Sequence, residues 1–286
     1  MISVKNNDKL LKYLFTIPMF IYSLLLIFLP LVYIFVISYF KSDGYGGMIE
    51  TFTLQNYIQL FDIVYVKIFM KSIFLGLIVT VICILIAYPF VIAISHKSKV
   101  NQKILMTLVM VPFLTNSLIR KYGWIVLLRK SGVINKLLLD FNLIDNPLQL
   151  MYNNLGIIIG MVYTLLPFMI LPLYNAVSAI DKSLLEAASD LGAGKIKTFL
   201  KVILPQTKSA LFNGSLMVFM PTLGYFFIVD ILGGGKIMIL GNLIRNQFLT
   251  ARNWPFGAAI SVFLLLITGV IIAIYRKTGG KMEDLG

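Results

Sequence analysis

The sequence has a single cysteine, Cys83, and a single histidine, His96, so it holds no disulfide framework and no thiol metal cluster. Charge is scarce as well: 13% of the 286 residues are Asp, Glu, Lys or Arg, and twelve acidic residues stand against twenty-five basic ones. No nucleophile with its base and no carboxylate pair stands out, which disfavours an enzyme. A phosphate-cradling Gly-x4-Gly-Lys-Ser/Thr arrangement is missing too, since neither Gly192-x-Gly194 nor the Gly233 to Gly235 run has a glycine at the x4 spacing before it or a Ser/Thr after the lysine that follows it. The net charge of +13 invites a nucleic-acid reading. The basic residues, however, sit at the ends of apolar runs with no aromatic RNA-binding motif between them, as expected of lysines that set membrane topology and touch anionic lipid.

What fills the chain is apolar: hydrophobic residues make up 59% and the mean hydropathy is +0.90. That composition excludes an ordinary soluble domain and predicts an all-α polytopic membrane protein, read here as one transmembrane domain over residues 1–286. A run from about Tyr13 to Tyr39 is too long for a signal peptide and predicts a retained first span, with Pro18 and Pro30 kinking it or marking its ends. Further spans are expected at about Ser72 to Ile94, Ile104 to Ile119, Leu155 to Ile180 (interrupted by Pro167 and Pro172), Leu211 to Leu232 (with Pro221 at its middle) and Phe256 to Tyr275. The third of these is short for a bilayer core of about 30 Å. Two short helices are expected between spans. One carries Ile134, Leu137, Leu138 and Phe141 opposite Asn135, Lys136 and Asp140; the other carries Leu240, Leu243, Ile244 and Phe248.

Between the fourth and fifth spans lies a polar interval, SLLEAASDLGAGKIKTFLKVILP, from Ser183 to Pro205. Ser183 and Glu186 match a capping box at a helix start, followed by an apolar stripe of Leu184, Leu185, Ala188 and Leu191. Gly192 and Gly194, both able to take positive φ, predict a sharp turn into a second helix with the stripe Ile196, Phe199, Leu200 and Ile203. Pro205 stops that helix or starts the next.

The order Glu186-Ala187-Ala188, three residues, Gly192, nine residues, Val202, Ile203, Leu204-Pro205 resembles the EAA signature of ABC-importer permeases, departing only at Val202, where the family has Ile. The segments Val111 to Gly123, Leu166 to Tyr174, Leu184 to Ala193 and Asn246 to Ala259 are similar to the first permease subunit of spermidine/putrescine importers. The resemblance implies a type I importer permease fold with about six transmembrane helices. In it, Glu186, Ala187, Ala188, Gly192, Leu204 and Pro205 form a coupling loop that docks in a cytoplasmic ATPase. It also implies a second homologous permease, an ATPase dimer that binds the ATP and Mg, an external polyamine-binding protein, and no cofactor on this chain.

Six spans would place both termini on one side. With the termini cytoplasmic, fourteen Lys/Arg lie inside and eleven outside, a slight positive-inside bias. The lysines of the EAA-like loop decide the orientation, because that loop must face an ATPase. The expected location is the plasma or inner membrane of a bacterial cell, in contact with the lipid bilayer.

A polycation crossing a membrane needs carboxylates and aromatic faces on its route. In the outer half the chain offers Asp230, with Tyr225, Phe226 and Phe227 before it, and Tyr163 and Tyr174 on the fourth span. Competing expectations for Asp230 are a helix-end cap or a pair with Lys236, and for the aromatics ordinary packing. Rival functions are an importer permease for another solute, such as an oxyanion or iron chelate, and a carrier driven by an ion gradient. The second would need ionisable residues within spans, and none is evident.

Overall fold

The computed structural model describes residues 16–277, so the run's start at Tyr13, the lysines before it and the polar tail after Lys277 lie outside the described residues. Helices dominate, and among the described residues the only strands are a two-residue antiparallel pair, β1 (Lys41–Ser42) and β2 (Met48–Ile49). Among the described residues four helices are long and apolar enough to cross a membrane, or up to six if each of two bent pairs is one span. By internal contacts the chain divides into two units, Met1–Ile63 with Ile244–Gly269 and Val64–Leu243 with Val270–Gly286.

In the first unit, helix α1 (Thr16–Ile37) contains a π-turn at Leu24–Phe28, directly before Pro30. A proline has no N–H for the carbonyl four residues back, and a widened turn accommodates its ring. Nearly every large side chain of α1 is exposed, including Phe20, Phe28 and Phe35. Such a surface is stable only against lipid or other apolar helices. After α1, Asn56 in the short helix α2 (Gln55–Gln59) donates to the carbonyls of Ser38 at 2.9 Å and Phe40 at 2.8 Å, fixing the exit of the span.

The core of the second unit includes two buried stripes. Helix α3 (Ile63–Ser95) buries Leu75, Val79, Cys83, Ala87 and Val91, and helix α7 (Asn154–Ser178) buries Ile157, Met161, Leu165, Met169 and Leu173. Each stripe repeats every fourth residue, the row along which helices form ridges and grooves. Helix α3 begins at Ile63, nine residues before the expected Ser72, because Ile63–Lys71 turns Lys67 and Lys71 outward at i, i+4 while burying Phe69. Helix α7 runs unbroken through Pro167 and Pro172, contrary to expectation.

The expected third span, 104–119, is instead two helices, α4 (Lys99–Leu114) and α5 (Ser117–Leu128), since Asn116 caps a new start by accepting from the Leu118 N–H at 2.8 Å. Helix α6 (Val133–Asp140) matches the first short helix, but Asn135 is fully buried rather than on the polar side. Its amide donates to the carbonyls of Arg129 and Leu148 and accepts from the Leu148 N–H, which is what makes its burial tolerable.

Candidate functional site

The polar interval after α7 forms helix α8 (Lys182–Asp190), then α9 (Lys195–Thr198), a π-turn at Phe199–Ile203, and α10 (Leu204–Gln206). Its cap is not the expected Ser183 with Glu186. Asp181 is the capping residue, its carboxylate accepting from the Ser183 N–H at 3.0 Å, and that bond holds the Asp181 carboxyl below its ordinary pKa. An aspartate is as good a cap as a serine, and the helix takes the earlier one. Ser183 and Glu186 therefore lie within the helix, and Glu186 and Ala187 are exposed.

The helix ends as a Schellman motif: Gly192 at φ +71° donates to the Ser189 carbonyl at 2.9 Å, and Ala193 donates to the Ala188 carbonyl at 3.0 Å. Gly194, expected to share the positive φ, has φ −67° and caps α9. The predicted stripes are split. Leu185, Phe199 and Leu204 pack on the core and Ile203 is buried, whereas Leu184, Leu191, Ile196 and Leu200 are exposed. Leu191 is 86% exposed and Ile196 78%. The loop thus shows a row of large apolar side chains beside Glu186 and Ala187, the appearance of a docking face.

Its inner side is tied to α3. The Tyr88 ring meets Phe199 edge-on at 5.1 Å, and the Tyr88 hydroxyl lies 2.9 Å from that of Thr207, which also bonds the Ile203 carbonyl at 2.8 Å. Sequence reasoning missed Tyr88, Thr207 and Asp181. A phenol beside Pro89 within an apolar run was the available signal, because a buried tyrosine hydroxyl usually finds a partner.

The fifth span is a bent pair, α11 (Lys208–Gly224) and α12 (Phe226–Gly233), turned by 63°. The break falls at Tyr225, not at Pro221, around which the helix continues. Helix α13 (Leu240–Leu249), the second expected short helix, closes on this break. A Cβ on Gly241 would lie 2.5 Å from the Gly224 carbonyl oxygen, so no larger residue fits there. Asn242 donates to the Phe226 carbonyl at 3.2 Å and to the Asp230 carboxylate at 2.6 Å, and Ser72 accepts from the Leu240 N–H at 2.9 Å. Asp230, Tyr225 and Phe226 are thus gathered at one break, with Asp230 half-buried and held by Asn242. Tyr163 lies on α7, its ring edge-on to Trp124 at 5.1 Å, and Tyr174 donates to Gln102 at 3.1 Å.

A sequence family described as "Binding-protein-dependent transport system inner membrane component" matches residues 89–278, which takes in the loop, the whole of both bent helix pairs, and Asp230. The chain belongs to that family. The permease is 39% identical over 95% of its length to the "Spermidine/putrescine transport system permease protein PotB" of Haemophilus influenzae, covering 94% of that protein. To the protein of the same description in Escherichia coli it is 40% identical over 88% of its length and 92% of that protein's. Among solved structures, two transporter chains share its fold. One comes from a bacterial ABC transporter involved in the import of alginate, with a TM-score of 0.70, 18% identity and coverage of 95% and 96%. The other comes from a bacterial alginate ABC transporter in complex with an alginate pentasaccharide-bound periplasmic protein, with a TM-score of 0.77, 15% identity and coverage of 98% and 99%. The permease is therefore an all-α polytopic membrane protein with the fold of ABC-importer permeases.

Proposed function

We propose that the permease is the transmembrane subunit of an ATP-driven importer of polyamines, spermidine and putrescine among them. The observation that carries this reading is the pair of curated relatives at 39% and 40% identity over most of both chains, whose names state spermidine/putrescine transport. The loop supplies the means. A helix with a sharp cap at each end displays Glu186, Ala187 and exposed leucines outward, while Phe199 and Thr207 fasten the following segment to Tyr88 in the C-terminal part of a long apolar helix. A push on the outer face is delivered to a transmembrane helix because packed elements shift between discrete arrangements and do not deform freely.

In this reading residues 1–286 work as one transmembrane domain with both termini in the cytoplasm. Glu186, Ala187, Ala188, Gly192, Leu204 and Pro205 meet the ATPase dimer. ATP and Mg are bound there and the ATP is hydrolysed there, and this chain catalyses no chemistry and carries no cofactor. A second homologous permease completes the path, and an external polyamine-binding protein delivers the substrate. Asp230 with Tyr225 and Phe226 receives the ammonium groups, and Tyr163 lies further along the route.

Uptake of labelled spermidine and putrescine by cells lacking their own importer tests the function. Expression of the permease with its cognate partner subunits is expected to restore uptake of at least one of the two. Restored uptake of an unrelated solute, with neither polyamine carried, would overturn the substrate and leave the family standing.

A further inference from the structure

Where α4 meets the end of α7 there is a cavity of about 420 Å³ that the transport reading does not use. Its floor is Gln102, which is buried and fully engaged. The amide donates to the carbonyls of Ser95 at 3.1 Å and Lys97 at 2.9 Å, and its oxygen accepts from the Tyr174 hydroxyl at 3.1 Å. The cavity's own chemistry is therefore set by the residues around that floor, and it is graded along α4. At one mouth stand Lys99 and Lys103, one helical turn apart and both exposed. Among the described residues no carboxylate lines the cavity. At the other end Met106, Met110 and Leu171 make an apolar wall, with Thr107 between the two zones.

From Lys99 to Met110 the helix rises about 16 Å at 1.5 Å per residue, so the basic mouth and the apolar wall sit at different depths of the same groove. We propose that this cavity is a binding site for one anionic phospholipid, its phosphate between Lys99 and Lys103 and an acyl chain along Met106, Met110 and Leu171. Charge selects the occupant. A polyamine is repelled by the two ammonium groups, and a purely apolar helix of another subunit would leave them without counter-charge, whereas a basic pocket between transmembrane helices matches an anionic headgroup. Tyr174 is four residues from the end of α7, after which Asp181 caps the coupling helix. A lipid seated here braces α4 against the segment that leads into the loop. The inference needs the membrane setting of the family and not the polyamine substrate.

The test uses the permease purified with its cognate transporter subunits and titrated with dioleoylphosphatidylglycerol or dioleoylphosphatidylcholine, with retained lipid counted by native mass spectrometry. Preferential retention of phosphatidylglycerol is expected. Lys99→Gln with Lys103→Gln should weaken it by about ten- to thirtyfold, the loss for two near-surface charges, and Lys99→Arg with Lys103→Arg should restore it. Met110→Trp, which fills the apolar end and leaves both charges, should also displace the lipid. Equal retention of the two lipids would overturn the proposal. So would unchanged binding in Met110→Trp, since the lysines would then be a diffuse surface charge, or equal competition by soluble glycerol phosphate. A Thr107→Cys variant that crosslinks to another subunit would overturn it as well, because that subunit would be the occupant.

Discussion

The Tyr88 hydroxyl lies 2.9 Å from that of Thr207, joining the C-terminal part of a long apolar helix to a residue two positions beyond the Leu204-Pro205 end of the EAA-like segment. Both side chains are buried, 119 residues apart in sequence. With the Tyr88–Phe199 ring contact, the bond brackets the π-turn, so the loop has two fixed points on α3. Force applied to the outer helix has a defined route inward.

The two hydroxyls are not equivalent, and this predicts an asymmetry. In Tyr88→Phe the Thr207 hydroxyl keeps its bond to the Ile203 carbonyl, so the loss is that of an ordinary hydrogen bond, about 1 kcal/mol. In Thr207→Val the Tyr88 hydroxyl is left buried without this partner, at about 1–3 kcal/mol. Thermal unfolding of the purified complexes should rank Thr207→Val below Tyr88→Phe. Both should transport less per ATP hydrolysed; equal stability and full coupling in both would remove the bracket from the mechanism.

Gly192 and Gly194 are predicted to behave differently although two residues apart. Gly192 has φ +71° and open space where a Cβ would be, so a substitution meets backbone strain alone, about 1–2 kcal/mol and more for a β-branched side chain. Gly192→Val should leave the protein in the membrane but reduce co-purification with the ATPase and abolish uptake, with Gly192→Asn milder. Gly194→Ala, at φ −67°, should be tolerated. Normal uptake in Gly192→Val would show that the turn does not aim the helix.

The cap predicts a third pair of outcomes. Asp181→Ala should fray α8, whereas Ser183→Ala, which removes no cap, should not, and hydrogen exchange at Ser183 and Leu184 reads the difference. Because the Ser183 N–H lowers the folded-state pKa of Asp181 from its ordinary 3.8, the cap's contribution is complete above that value. It is lost as pH falls through the lower folded value, so it is constant across the neutral range. A protection factor that varied near pH 7 would require another group.

Much of this was legible in the sequence because the signals were local. The EAA spacing located the loop, and the long apolar runs located α3 and α7. Where reading failed, a tertiary contact outweighed a local pattern. Asp181 competed with Ser183 for one helix start, and pattern alone could not choose between them. Asn135 looks polar and surface-bound until its amide is seen serving Arg129 and Leu148. The fifth span was expected to run through Leu232, yet the chain breaks at Tyr225, where Gly241 of α13 approaches the Gly224 carbonyl. Nothing in the sequence paired Tyr88 with Thr207, because that contact depends on how α3 and the loop pack.

The last prediction concerns Asp230, whose carboxylate accepts from the Asn242 amide at 2.6 Å beside the break at Tyr225. That amide is neutral, so this hydrogen bond by itself leaves the carboxylate's charge in place. Partly withdrawn from water, a carboxylate attracts an ammonium at 4 Å by about 4 kcal/mol, against about 1 in bulk. Asp230→Asn removes the charge and retains an oxygen that Asn242 can still donate to, so assembly and stability should be close to the parent's. Uptake by the reconstituted importer should fall by about tenfold or more, given tenfold for each 1.4 kcal/mol, with the external binding protein's polyamine affinity unchanged. Asn242→Leu separates the two roles: it keeps the charge and breaks the bonds to Phe226 and Asp230, so it should lower stability first and uptake only in proportion. If Asp230→Asn transports at the parent's rate and concentration dependence, Asp230 serves only to hold α13 against α12, and the negative charge on the route must come from the second permease.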